Sequence, residues 1–296
     1  VTRRGAAVVP AAATRLPPET GNVRRLVCCS VALLAATAVL APELLLARQR
    51  GDGICETHHP WGRFEPGAWK LVREVTESLD AQGAVVGAST TETKTTLMDI
   101  DDQGVTLEVA VVVEVAGKRF AKEPHLVRQG FHGEVLNDQL RVKEPQASQV
   151  TIEGQKLSCR NQQVEIDGPS GKTVVGVWYS DTVEPFILRR EASTTSPDGA
   201  QVLSQTTTEV VALAMPWKVL AEMKSAALIR TVHRHAKGVT TTWAFASADV
   251  PGGIVSHTSK ETDESGRLIR RSTLELIDYG RQCEPTRAGL FPRKRR

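Results

Sequence analysis

The sequence predicts a mainly β protein: a curved antiparallel sheet or half-barrel of hairpins with one or two helices, behind an N-terminal hydrophobic signal or anchor helix. Three observations predict it. Residues 106–115 alternate, with Leu107, Val109, Val111, Val113 and Val115 on one face and Thr106, Glu108, Ala110 and Glu114 on the other, which is the period of a half-buried strand. Thr- and Val-rich stretches recur between Gly-bearing turns over the rest of the chain. A charge-free apolar run fills 26–41 behind Arg24 and Arg25.

Taken in chain order, residues 1–23 read as a disordered cytoplasmic end and 24–47 as a signal peptide or transmembrane anchor. From Leu26 to Ala47 the segment has about 22 residues, enough to span a bilayer at ~1.5 Å per residue. The Arg residues that precede it orient the remainder outside the cytoplasm. Pro42 directly after Val39-Leu40-Ala41 is a poor neighbour for a peptidase, so cleavage and anchorage both stay open. Asn22, Val23 and Leu26 fit a twin-arginine signal poorly. Cys28 and Cys29 open the apolar run, whereas a lipoprotein cysteine would close it.

Residues 48–66, rich in Gly, Pro and His, read as a linker, 67–280 as a β-rich domain and 281–296 as a basic tail. Strands are expected at 89–100, 106–115, 150–157, 162–166, 173–179, 201–213 and 268–277. Turns separate them at 80–83, 101–104, 116–117, 153–154, 167–171, 198–199 and 264–266. Pro216 followed by Trp217, Val219, Leu220, Met223, Ala226 and Ala227 suits a three-turn helix with Pro in its first turn. An internal repeat of about 67 residues matches Trp178, Val183-Glu184-Pro185, Asp198-Gly199 and Glu209 to Trp243, Val250-Pro251, Glu264 to Gly266 and Glu275, with a fainter copy at Gly83 and Glu92.

Composition narrows the function classes. The chain has 296 residues and a formal charge of +3, 41% hydrophobic and 24% charged, so it can bury a core and is not a polybasic nucleic-acid binder. Aromatics at 4% disfavour a base-stacking platform, and no nucleic-acid partner is expected.

The motifs are incomplete. Gly168 to Thr173 ends like a phosphate-binding loop, but Ile166 stands where that loop needs its first Gly, and strand residues follow. Asp99 to Gly104 starts like a calcium loop, yet Ala110 falls at the bidentate Glu position. Cys55, His58, His59, His233 and His235 are metal-ligand types without a recognised spacing, so no metal or cofactor is expected. The duller reading is a solvated linker and a polar strand face. No nucleophile elbow or zinc-protease helix appears, carboxylates are scattered, and no catalytic residue is assigned. Outside the leader, Cys159 and Cys283 are the preferred disulfide pair, leaving Cys55 unpaired.

The succession Thr151-Ile152-Glu153-Gly154 with Cys159, then Val177-Trp178-Tyr179-Ser180, Val183 to Leu188 and the turn at Asp198-Gly199, resembles bacterial envelope proteins that share the half-barrel of the lipoprotein-carrier fold. The resemblance implies a curved antiparallel sheet and carries over no functional residue. The chain departs from the lipoprotein members in lacking a lipobox. Such a half-barrel has a concave face that alternating Val and Leu residues can line. The expectation is a non-enzymatic exported protein of the cell envelope, periplasmic or extracytoplasmic. It is either anchored in the inner membrane through 26–47 or released, with Leu107, Val109, Val111 and Val113 as a hydrophobic-ligand pocket or as core. The alternatives are a module that contacts other envelope proteins and, further off, a metal-dependent enzyme.

Overall fold

In the computed structural model, residues 53–132, 134, 139–168 and 171–281 are described. The hydrophobic leader, the basic tail and Cys283 lie outside the described residues, and so does the expected Cys159–Cys283 pairing.

A 3₁₀ turn at Glu56–His58 precedes fifteen strands: β1 (Trp69–Leu79), β2 (Val85–Asp101), β3 (Gly104–Val115), β4 (Lys118–Ala121), β5 (His125–Gln129), β6 (Gln139–Val142), β7 (Gln146–Ile152), β8 (Gln155–Gly168), β9 (Gly171–Tyr179), β10 (Ile187–Thr195), β11 (Val202–Val219), β12 (Glu222–His235), β13 (Gly238–Ala246), β14 (Ile254–Thr262) and β15 (Leu268–Gly280). All of them join one large antiparallel, curved and unclosed sheet in the order β4-β3-β2-β1-β15-β14-β13-β12-β11-β10-β9-β8-β6, with β5 also on β3 and β7 also on β8.

Most pairings are local hairpins; β5 on β3 and β6 on β8 each skip one strand, and the long-range pairing is informative. β15 pairs with β1, so the meander is cyclic, and its break falls between β5 and β6, which are consecutive in the chain. Laid flat, twelve strand spacings of ~4.8 Å would separate those edges by about 58 Å. The chain from Gln129 to Gln139 reaches about 35 Å at most. The sheet must therefore curl. Glu74 on β1 and His257 on β14 flank β15, yet their side chains meet at 3.4 Å, as happens on a concave face. In the connector after β5, the His132 carbonyl accepts a hydrogen bond from Arg190 Nη2 on β10 at 3.0 Å.

The expected turns have local chemical causes. Asp80 Oδ1 accepts the amides of Gln82 and Ala84, and Asp263 Oδ1 accepts those of Ser265 and Arg267, so each Asp closes its own hairpin. Gly171 opens β9 at φ 139° and Gly238 opens β13 at φ 141°, where an added Cβ would lie 2.0 Å from the Thr195 carbonyl oxygen and 1.9 Å from that of Thr262. Only Gly fits. These sites are 67 residues apart; after β9, Tyr179 pairs with Ile187, and after β13, Ala246 pairs with Ile254.

The helix expected from Pro216 is corrected. Residues 202–235 form the β11–β12 hairpin, with Pro216 opposite Ser225. Past Glu209, β11 has left β10 and its ladder partner is β12, and an edge strand tolerates a residue without an amide proton. Register shifts at 210–212 and 212–215 bend this arm, so that Trp217 stacks on Phe245 at 3.6 Å and Val219 joins the buried cluster of Val250 and Val255. Tertiary packing thus overrode a helical spacing of apolar residues.

Candidate functional site

The linker expectation for 48–66 gives way, from Ile54 on, to a segment packed across one end of the curled sheet. Ile54 packs against the Val164, Val175 and Val177 cluster, and its amide donates to Gln162 Oε1. Further along, the Gly252 amide donates to the Pro60 carbonyl, and Trp61 and Phe64 pack with Leu97, Val105 and Leu107. The Gly67 and Leu97 backbones then tie the segment to β2. His58, His59 and Trp61 are at most 3% exposed. Burying bulky side chains in an aromatic-poor chain is what fixes this end plug.

Within the plug, Cys55 and His58 face the turn between β9 and β10. His58 Nε2 donates to Asp181 Oδ1 at 3.0 Å, and Arg160 Nη2 holds Asp181 Oδ2 at 3.1 Å. His58 Nδ1 lies 3.0 Å from both the amide nitrogen and the carbonyl oxygen of Cys55. Tyr179 meets the imidazole edge-on at 4.9 Å, and Phe186 does so at 6.3 Å. His58 holds the Cys55 thiol below its ordinary value, against the opposing effect of burial. Burial pushes His58 down, but the interactions with Cys55 and then Asp181 outweigh it and leave the imidazole raised.

The same turn walls a second feature. Thr182 to Pro185, the bent arm at Leu213, Ala214 and Ser225 to Ala227, and Ala246 with Ala248 line an open hollow of about 340 Å³. Five alanines leave this space, because side chains that stop at Cβ cannot fill the gap between the arm and the two turns.

The residues expected to line a pocket sit elsewhere. Leu107 and Val111 are buried and Val109 and Val113 half-buried on β3, opposite Leu97, Thr93, Thr95 and Thr91. Leu107 lies under Trp61 in core, and none of the four lines the hollow. Among the described residues no three His, Cys, Asp or Glu side chains stand together as a metal site. His233 bonds to Thr206 instead and lies tilted beside His235, while Asp101 of the calcium-like turn is held by Arg128. Lys172, of the phosphate-loop-like stretch, donates to Glu165.

Sequence reasoning picked out Cys55 and His58 by type and missed Asp181, Arg160 and the alanines. The concentration of Trp61, Phe64 and Trp69 was a readable sign that the presumed linker packs. No comparable sign marks Asp181, 123 residues from His58.

No protein-family model matches the chain, and no curated protein matches it. Two solved structures are similar to the chain: a candidate lipoprotein from Parabacteroides distasonis and a candidate exported protein with a YmcC-like fold from Bacteroides fragilis. Each is 11% identical, covers 73% of this chain and 97% of its own, and has a TM-score of 0.28. A likeness at that level leaves the functional reading to this chain's own residues.

Proposed function

We propose that the chain is a non-enzymatic exported protein of the cell envelope that holds a small apolar ligand in the hollow at the base of the β11–β12 arm. The observation that carries the reading is the hollow itself. At about 340 Å³ it falls at the small end of the roughly 300–1,000 Å³ of small-molecule sites. Its wall combines alanines, Val183, Pro185 and Leu213 with Thr182, Glu184 and Ser225. The reading moves the site from the β3 valine stripe to the arm and keeps the class of ligand. Export is supported by the charge-free run at 26–41 behind paired arginines.

The test compares protein extracted natively with protein stripped of lipid, by mass spectrometry under non-denaturing conditions. An apolar molecule retained by the first and absent from the second is the expected result. Natively extracted protein that never carries one would favour a module that contacts other envelope proteins through its sheet edges.

A further inference from the structure

The end of the sheet closed by the plug also carries an apolar tip that ligand storage in the hollow does not use. At the turn of the β11–β12 arm, Leu220 is 43% exposed and Met223 is 65% exposed, and the exposed Lys218 stands opposite Met223 in the ladder. The tip is held in place. Val219 packs with Val250 and Val255, Trp217 stacks on Phe245, and Lys224 pairs with Glu222 at 2.8 Å. Asp249, in the neighbouring turn, pairs with Arg281 at 2.8 Å, and the Arg281 guanidinium lies over the Phe64 ring of the plug. Arm, plug and the end of β15 at Gly280 are therefore neighbours. The opposite end of the sheet is a contrast in charge. It exposes Val85 and Val86, but its hairpin turns carry Asp80, Asp198, Asp263 and Glu264.

We propose that the tip of the β11–β12 arm is a docking surface for an anionic lipid bilayer. Leu220 and Met223 enter the boundary between headgroups and acyl chains, where apolar side chains leave water, and basic residues meet the anionic headgroups beside them. Two apolar side chains alone hold a protein to a bilayer weakly and reversibly, so a second signal is needed. The sequence that follows Arg281 supplies it, with Arg287, Arg293, Lys294, Arg295 and Arg296 against one acidic residue, Glu284. The tether agrees in length. The apolar run ends at Ala47, and the chain from there to Cys55 in the plug reaches about 28 Å at most, less than the ~36 Å of the 11-residue β1. An anchored leader therefore keeps the plug end, and with it the arm tip, at the lipid surface. The proposal rests on the export reading for this tether and goes beyond it in naming the surface that touches lipid.

The experiment uses the full chain reconstituted into vesicles of phosphatidylglycerol and phosphatidylcholine in equal parts, and into vesicles of phosphatidylcholine alone. Flotation reads the tether, and hydroxyl-radical footprinting with peptide mass spectrometry reads the exposure of single side chains. In the anionic vesicles Leu220 and Met223 should react about fivefold or more slowly than in the neutral ones, while Val85 and Val86 react alike in both. Raising the salt to about 1 M should restore most of the lost reactivity. Lys218→Glu, at an exposed position, should weaken the protection of Met223 about twofold or more. A tip equally reactive in the two vesicle types, or protected regardless of salt, overturns the proposal and leaves the arm to a protein partner. A chain that floats with neither vesicle removes the tether and overturns it as well. Ligand retention is measured on its own, so an empty hollow and an undocked arm are distinguishable results.

Discussion

His132 shows how one side chain can set the acid limit of the whole sheet. Burial, with the positive charge of Arg190 added, lowers it to about 4. In the unfolded chain it titrates near 6.5. The unfolded state therefore binds the proton first as pH falls, so the stability this group confers is complete above about pH 6.5 and is lost on the way down to about pH 4. The total is on the order of 3 kcal/mol. His233 is also lowered, by burial and then by His235, and pulls the same way, whereas raised His58 favours the fold at the acid end of this window. Urea unfolding at about pH 7.5 and about pH 4.5 checks the account: His132→Gln should lose less stability between the two than the wild type. Equal losses would contradict it. None of this is legible in the chain order, because His132 and Arg190, 58 residues apart, meet only in the folded sheet.

At the scale of elements, the hairpins were legible and the arm was not. Alternating Val and Thr with Asp and Gly at the turns specify strand, turn and strand locally, without help from the rest of the fold. Gly238 marks where local freedom meets a tertiary demand. Gly238→Ala drives Cβ into the Thr262 carbonyl and should cost about 3 kcal/mol. Gly83→Ala, at φ 82° with nothing nearby, meets only the backbone penalty and should cost about 1 kcal/mol. Thermal melts of the two variants give the comparison, and equal shifts would refute the close approach. The β11–β12 arm misled because Trp217, Val219, Leu220 and Met223 carry a spacing a helix also satisfies. What decides for strand is pairing with β12 and the stack of Trp217 on Phe245, and both are long-range facts. Trp217→Ala should therefore loosen the arm and cost about 3 kcal/mol, seen as a lower urea midpoint. A change below about 0.5 kcal/mol would mean that the stack does not hold the arm.

For the whole molecule, the cyclic order of hairpins follows from β15 returning to β1, and curvature follows from a connector too short to bridge a flat sheet. The curl was legible as a resemblance, but the filling of its concave side was not. The β3 stripe lies beside Leu97 and three threonines of β2 and is capped at one end by Trp61, and the hollow opens where the bent arm and the two turns meet over alanines. A valine stripe announces a buried face without saying whether ligand or protein covers it, and alanines announce nothing. The central claim is tested most directly by titrating delipidated protein with a fluorescent acyl-chain probe, alongside Ala246→Phe, which places a ring in the hollow. Saturable binding to the wild type, weakened about tenfold or more in the variant (~1.4 kcal/mol), is the predicted result. Equal affinity in the two proteins, or no saturable binding to either, would contradict it.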